Sequence, residues 1–181
     1  MMRERPLITT RLKLLPMRAA HADLIARQER EPSWALDYPQ PTDVDAARHL
    51  FESGLLYADD GGRFGVWLIV EMANDSVIGT IGFDGPPQAG ALQIFYGIVP
   101  SRRGCGMAAE ALHRLTEYAG ESPEVRSIEA YAQSDASAAV LRRAGYGSVS
   151  EERYPLGASL FVWGMNPSRR QGDGQPAGSG G

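Results

Sequence analysis

The sequence predicts an α+β domain: a mixed, mostly antiparallel sheet of six to seven strands with helices on both faces. Three strand-like runs, 64–71, 77–83 and 92–99, follow one another across short breaks, the pattern of an antiparallel meander. Two helix-periodic segments, 104–120 and 134–144, then alternate with strand-like runs at 126–133, 146–151 and 158–165. A right-handed crossover through the first of these helices sets the strand near residue 130 parallel to the one near residue 95.

The elements justify themselves in order. Residues 7–15 alternate loosely around Leu12 and Leu14 and stop at Pro16, which reads as a first strand. Residues 19–27 have apolar spacing for a short helix. Pro32, Pro39 and Pro41 then forbid regular structure around Trp34 and Tyr38. Thr42 suits an N-cap, with Asp43 and Asp45 in the first turn and Val44, Ala47, Phe51 and Leu55 on one face. Asp59-Asp60-Gly61-Gly62 is a turn before the meander. The helix opening near Gly104 turns Met107, Ala108, Ala111, Leu112 and Leu115 inward, and Gly145 closes the following helix.

Size and composition restrict the function. A chain of 181 residues, 43% hydrophobic, forms one domain over 1–165, followed by a polar tail, 166–181, too poor in apolar residues to order itself. A net charge of -4 gives no field to gather nucleic acid. Cys105 is the single cysteine, so no internal disulfide or thiolate cluster forms, and no metal is expected. With no signal-like leader and no run of roughly 18 apolar residues, the expectation is a cytoplasmic protein without a membrane partner.

The segment after the meander carries the chemistry. A strand ends near Val99, a bend follows, and Gly104-Cys105-Gly106 opens a helix. The first amides of a helix lack partners and concentrate positive charge, so small residues there let a diphosphate reach main-chain N–H groups. Arg102 and Arg103 add countercharge. Gly104-x-Gly106-x-x-Ala109 also fits a dinucleotide fingerprint, but an antiparallel meander precedes it and no acid sits at the end of a clear second strand.

These residues resemble the GCN5-related N-acetyltransferases. Their coenzyme A signature, Arg/Gln-x-x-Gly-x-Gly/Ala, is written here Arg103-Gly104-Cys105-Gly106-Met107-Ala108. A later family motif resembles Ser134-Asp135-Ala136-Ser137 followed by Val140-Leu141-Arg142-Arg143-Ala144-Gly145-Tyr146. Thr10-Arg11-Leu12-x-Leu14-x-Pro16 and Ile78-Gly79-x-Ile81-Gly82-Phe83 are similar to the branch containing ribosomal-protein N-terminal acetyltransferases, and the likeness spans residues 7–165. It implies acetyl-coenzyme A (acetyl-CoA) as co-substrate. Amides from Gly104 to Ala108 and the Ser134 helix start would hold the cofactor, and the backbone of Ile98 and Val99 would pair with its pantetheine arm. A splay between the two parallel strands would admit the thioester. The family includes monomers and homodimers.

The proton-transfer groups depart from the family pattern. Where the branch often has a carboxylate, Gln93 stands, able to orient a water or an amine but not to accept a proton. Asp84, just past the 77–83 strand, is the alternative base. Where many members have a tyrosine acid there is Leu141, and the branch's serine points to Ser137, whose hydroxyl equally suits the first turn of its helix. Tyr96, Tyr131 and Tyr146 read as strand packing, His21, His49 and His113 as surface groups, and the Cys105 thiol as a spectator. Two readings stay open: an N-acetyltransferase acting on a small amine or peptide N-terminus in a ternary complex, and a non-catalytic acyl-CoA sensor. The acceptor pocket is expected from Trp34, the segment around Tyr38, and Pro86-Pro87.

Overall fold

The computed structural model describes residues 5–54, 63–149 and 158–164. One sheet of eight strands organises them, in the order β1-β2-β3-β4-β5-β6-β8-β7. The strands are β1 (Leu7–Ile8), β2 (Leu12–Pro16), β3 (Val66–Glu71), β4 (Ser76–Phe83), β5 (Ala91–Ile98), β6 (Ser127–Ala132), β7 (Gly147–Ser148) and β8 (Ser159–Trp163). The helices are α1 (Ala19–Ala26), α2 (Pro41–Ser53), α3 (Met107–Gly120) and α4 (Asp135–Arg143). Every strand pair is antiparallel except β5 with β6, the pair joined through α3.

The sheet exceeds the expected six to seven strands because the run 7–15 is a hairpin, not one strand. Leu7 pairs with Leu14 and Ile8 with Lys13, and the Thr9 N–H donates to the Leu12 carbonyl across the turn. The start of α2 also shifts. Gln40, not Thr42, is the N-cap, because Pro41 takes the first helical position, where its missing N–H costs nothing. Leu55, the turn at 59–62, the ends of the last two predicted strands and the polar tail lie outside the described residues.

Side-chain alternation assigns the faces. Trp67, Ile81 and Tyr96 share one register row, and Leu68, Thr80 and Gly97 the next, so the two rows point to opposite sides. The Trp67 ring meets Tyr118 of α3 edge-on at 5.7 Å, and the Tyr96 hydroxyl donates to the Ser137 carbonyl of α4. On the other side, Gly97 faces Thr42 and Asp43 of α2. Helices therefore cover both faces, with α3 and α4 opposite α2. Trp67, Phe83, Leu68 and Ile81 are fully enclosed between these layers.

One clamp joins the β1–β2 turn to α3. The Glu110 carboxylate accepts from the Thr9 hydroxyl (2.6 Å), the Arg11 N–H (2.9 Å) and Arg11 Nε (2.8 Å), while Arg11 Nη1 donates to the Cys105 carbonyl (2.8 Å). Partial burial pushes the Glu110 carboxyl up, but the Thr9 hydroxyl and the Arg11 contacts outweigh it and hold it below its ordinary range. A depressed carboxylate adds stability above its unfolded pKa and loses it as pH falls through the folded value. Glu110→Gln should therefore cost about 2 kcal/mol at pH 7 for the charged hydrogen bonds. In urea denaturation that gap closes toward pH 3; a gap independent of pH contradicts this account.

Candidate active site

The parallel pair β5–β6 is short. Its register runs Ala91↔Ser127, Leu92↔Ile128 and Gln93↔Glu129, then stops, while β5 continues to Ile98 against β4 alone. The Val99 N–H donates to the Ile78 carbonyl and the Asp84 N–H to the Gln93 carbonyl, which turns the main-chain groups of odd-numbered residues toward β4. By alternation, those of Ile94, Tyr96 and Ile98 point into the gap that β6 has left. Arg103 Nε donates to the Ile98 carbonyl at 3.0 Å.

A groove of about 520 Å³ runs from this gap over the mouth of α3 to the first turns of α4. Gly104 and Gly106 have φ of +79° and +78°, conformations that glycine adopts without penalty, and a Cβ on Gly104 would meet nothing within 4 Å. The glycines thus serve the backbone path and leave the helix mouth uncovered. Asp37 fixes the approach, accepting from the Ser101 N–H and hydroxyl at 2.9 Å each. Arg102 is paired with Glu71 at 2.8 Å. No hydrogen bond or ion pair holds Arg143 among the described residues, and it lines the far end of the groove.

Gly104, Gly106, Met107, Ala108, Arg103, Ile98 and Ser134 all line this groove. Cys105 does not line the groove: its side chain is exposed, and its carbonyl accepts from Arg11 Nη1. Val99 is a correction. Its N–H is spent on Ile78 and its carbonyl accepts the Arg102 N–H, so Tyr96, with Ile98, offers the free edge instead. Arg143 was also missed in the sequence, although the spacing Ala136, Ala139/Val140, Arg143 sets it on the groove-facing stripe of α4.

A second cavity, about 330 Å³, opens on the α2 side and meets the groove at Tyr96 and Gly97. It is lined by Asp43, Asp45, Ala46 and His49 of α2, with Thr80, Asp84 and Phe95 from the sheet. Asp43 is 3% exposed; its Oδ2 accepts the Gln40 N–H at 2.7 Å. Burial raises its pKa, only partly offset by that amide and by the Thr80 hydroxyl. Asp84 is exposed at the cavity rim, and partial desolvation there raises its pKa, with His49 pulling the other way. The phenol of Tyr96 is pushed up to about 12 by burial, so it carries its proton at neutral pH.

The predicted proton-transfer residues fare differently. Asp84 enters the cavity. Gln93 is exposed and lines neither space, since it sits at the last paired position before the strands part. Ser137 lines the groove, but its hydroxyl donates to the Ser134 carbonyl (2.9 Å) and its N–H to Ser134 Oγ (3.2 Å), the capping arrangement of α4. His49 is a surface group, as expected, and its exposed side chain also lines the cavity. Trp34 and Tyr38 do not line the acceptor side either. They are buried edge to face at 5.1 Å, and Tyr38 supports Thr80 from beneath through a 3.0 Å hydrogen bond. Pro86 and Pro87 line neither space.

Known proteins are similar to this chain in sequence and in fold. Residues 11–147 match the acetyltransferase (GNAT) domain family. An uncharacterized N-acetyltransferase, p20, from Bacillus licheniformis is 31% identical over 129 residues, covering 68% of this chain and 71% of that protein. Among solved structures, ribosomal-protein-S5-alanine acetyltransferase from Vibrio fischeri superposes with a TM-score of 0.64 at 14% identity, over 88% of this chain and 96% of that one. A ribosomal L7/L12 α-N-protein acetyltransferase in complex with coenzyme A gives a TM-score of 0.63 at 19% identity, over 88% and 97%. Among the described residues no group of side chains suits a metal, and no helix is long and apolar enough to cross a membrane.

A buried acid with a raised pKa costs stability as pH climbs from its unfolded value through its folded one, because the native state holds the proton longer. Asp43→Asn keeps an acceptor for the Gln40 N–H and removes that cost. Its Tm should exceed that of the parent at pH 7, with the difference shrinking toward pH 4; an equal or lower Tm at pH 7 contradicts the burial argument.

Proposed function

The chain belongs to the GNAT acetyltransferase family and is an acetyl-CoA-dependent acyltransferase; from that premise we propose that it N-acetylates a primary amine by direct transfer in a ternary complex. The observation that carries this reading is the meeting of groove and cavity at Tyr96 and Gly97, beside an unpaired stretch of β5. Acyl donor and acceptor would then approach from opposite faces of the sheet. When bound, acetyl-CoA supplies an acetyl thioester: an N–C bond forms as the C–S bond breaks, the nitrogen loses a proton and the sulfur gains one.

The residues suit that chemistry. Amides at Gly104, Cys105, Gly106, Met107 and Ala108 would hold the diphosphate, with Arg103 and Arg143 as countercharge and Ser134 fixing the facing helix start. The free edge at Tyr96 and Ile98 would bind the pantetheine amides as a strand would. Asp84, raised by partial desolvation and coupled to His49, would draw the proton from the amine, directly or through a water. Tyr96, which touches both spaces and keeps its phenolic proton, is the group we assign to the departing sulfur; its hydroxyl would turn from the Ser137 carbonyl, 3.2 Å away, to do so. Ser137 would then hold α4 rather than donate. Acceptors within this reading are a small amine or a peptide N-terminus. The single exposed thiol, Cys105, suits a cytoplasmic setting for one acetyltransferase domain, monomeric or dimeric.

The test pairs binding with turnover. Calorimetry with coenzyme A should detect binding that Gly106→Val weakens at least tenfold, and thiol release should appear with a panel of amines and peptides. Tyr96→Phe should lower kcat by about tenfold or more with coenzyme A affinity kept, whereas Ser137→Ala should lower Tm and spare kcat. Binding without turnover on any acceptor would favour the sensor reading instead.

A further inference from the structure

The run Ile78-Gly79-x-Ile81-Gly82-Phe83 lies in β4, and its two glycines press against different neighbours. A Cβ on Gly82 would stand 2.7 Å from the Val66 Cα and 2.8 Å from the Gly65 carbonyl oxygen, on the β3 side. A Cβ on Gly79 would stand 2.1 Å from the Gly97 carbonyl oxygen and 3.1 Å from the Ile98 Cα, on the β5 side. Against an ordinary carbon-to-oxygen contact of about 3.3 Å, a methyl at position 79 would have to push the Gly97 carbonyl back by about 1 Å.

Gly79 also borders a bulge. Against β3, Ile69 pairs with Gly79 and Val70 with Val77, so Ile78 has no partner there. A bulge bends its strand and increases the local twist. β5 follows that bend, because Ile98 pairs with Gly79 and the Val99 N–H donates to the Ile78 carbonyl. The bend falls where β6 has already left, since the last pair between β5 and β6 is Gln93 with Glu129. Beyond that pair β5 is held on one side alone, and a push on the Gly97 carbonyl meets no strand behind it. Such a push would carry the main-chain groups of Tyr96 and Ile98 into the gap. A push from Gly82 falls instead on β3, with β4 and β5 between it and the gap.

We propose that Gly79 is a positioning residue for the cofactor: by lacking a side chain beside the bulge, it seats Gly97 and Ile98 against β4 before any ligand arrives and so sets the width of the gap. The proposal rests on the acetyl-transfer reading, which puts the pantetheine arm in that gap. Gly79→Ala and Gly82→Ala should be compared by thermal unfolding and by calorimetry with coenzyme A. Both should lower Tm, because each methyl meets main chain. Gly79→Ala should also weaken coenzyme A binding by about tenfold or more, while Gly82→Ala stays within about threefold of the parent. A loss of packing alone would move both affinities alike. Equal affinities in the two variants overturn the proposal and leave the acetyl-transfer reading standing. A parent that binds no coenzyme A overturns that reading first, and this role with it. Where Gly79→Ala does not fold, nuclear Overhauser spectroscopy of the parent decides. A contact between the α-protons of Gly79 and Ile98 that is present without coenzyme A upholds the seating, and one that forms only on loading overturns it.

Discussion

Three residue pairs of parallel sheet, and then none, is the constraint on which the rest depends. Up to Gln93 the β5 backbone is held from both sides; beyond it, Tyr96 and Ile98 have main-chain groups with no strand to receive them. Polar backbone in a half-buried setting needs partners, and the Arg103 side chain satisfies only the Ile98 carbonyl. The remaining groups form a short template for another extended molecule. The groove, the cavity and their junction at Tyr96 and Gly97 all follow from this parting of strands.

The surroundings keep the gap open. A collapse of β6 onto β5 would have to displace Tyr96, whose hydroxyl is tied to α4 at Ser137. The helix mouth beside the gap is fixed from several directions: Arg11 and Glu110 bind it to the first hairpin, Asp37 holds Ser101, and Glu71 holds Arg102. Each contact joins the chain near the site to a segment far away in sequence. The site is therefore preorganised by charge-assisted hydrogen bonds on a rigid sheet, as precise positioning requires.

Much of this was legible in the sequence, and the limits have physical causes. Alternating apolar runs and glycine punctuation marked the meander, α3 and α4 because those signals are local. The Gly104–Gly106 mouth was readable for the same reason. The hairpin at 7–15 was not, since the Thr9–Leu12 bonds that close its turn interrupt the alternation without glycine or proline, and Glu110, which braces it, is about a hundred residues away. Asp43 read as a first-turn acid, and only the packing of α2 over Gly97 turns it into a buried cavity wall. Tyr96 alternates like any packed strand residue; its exposure to two cavities depends on where β6 departs. Of the neighbours Ile98 and Val99 only Ile98 faces the gap, because alternation fixes that one of two neighbours does but not which one.

Amide hydrogen exchange, residue by residue, with and without coenzyme A tests the parted-strand claim most directly. The account predicts that the ligand slows exchange at Tyr96 and Ile98 while Val99, already bonded to Ile78, changes little. Protection that appears at Val99 with none at Tyr96 and Ile98 would contradict it.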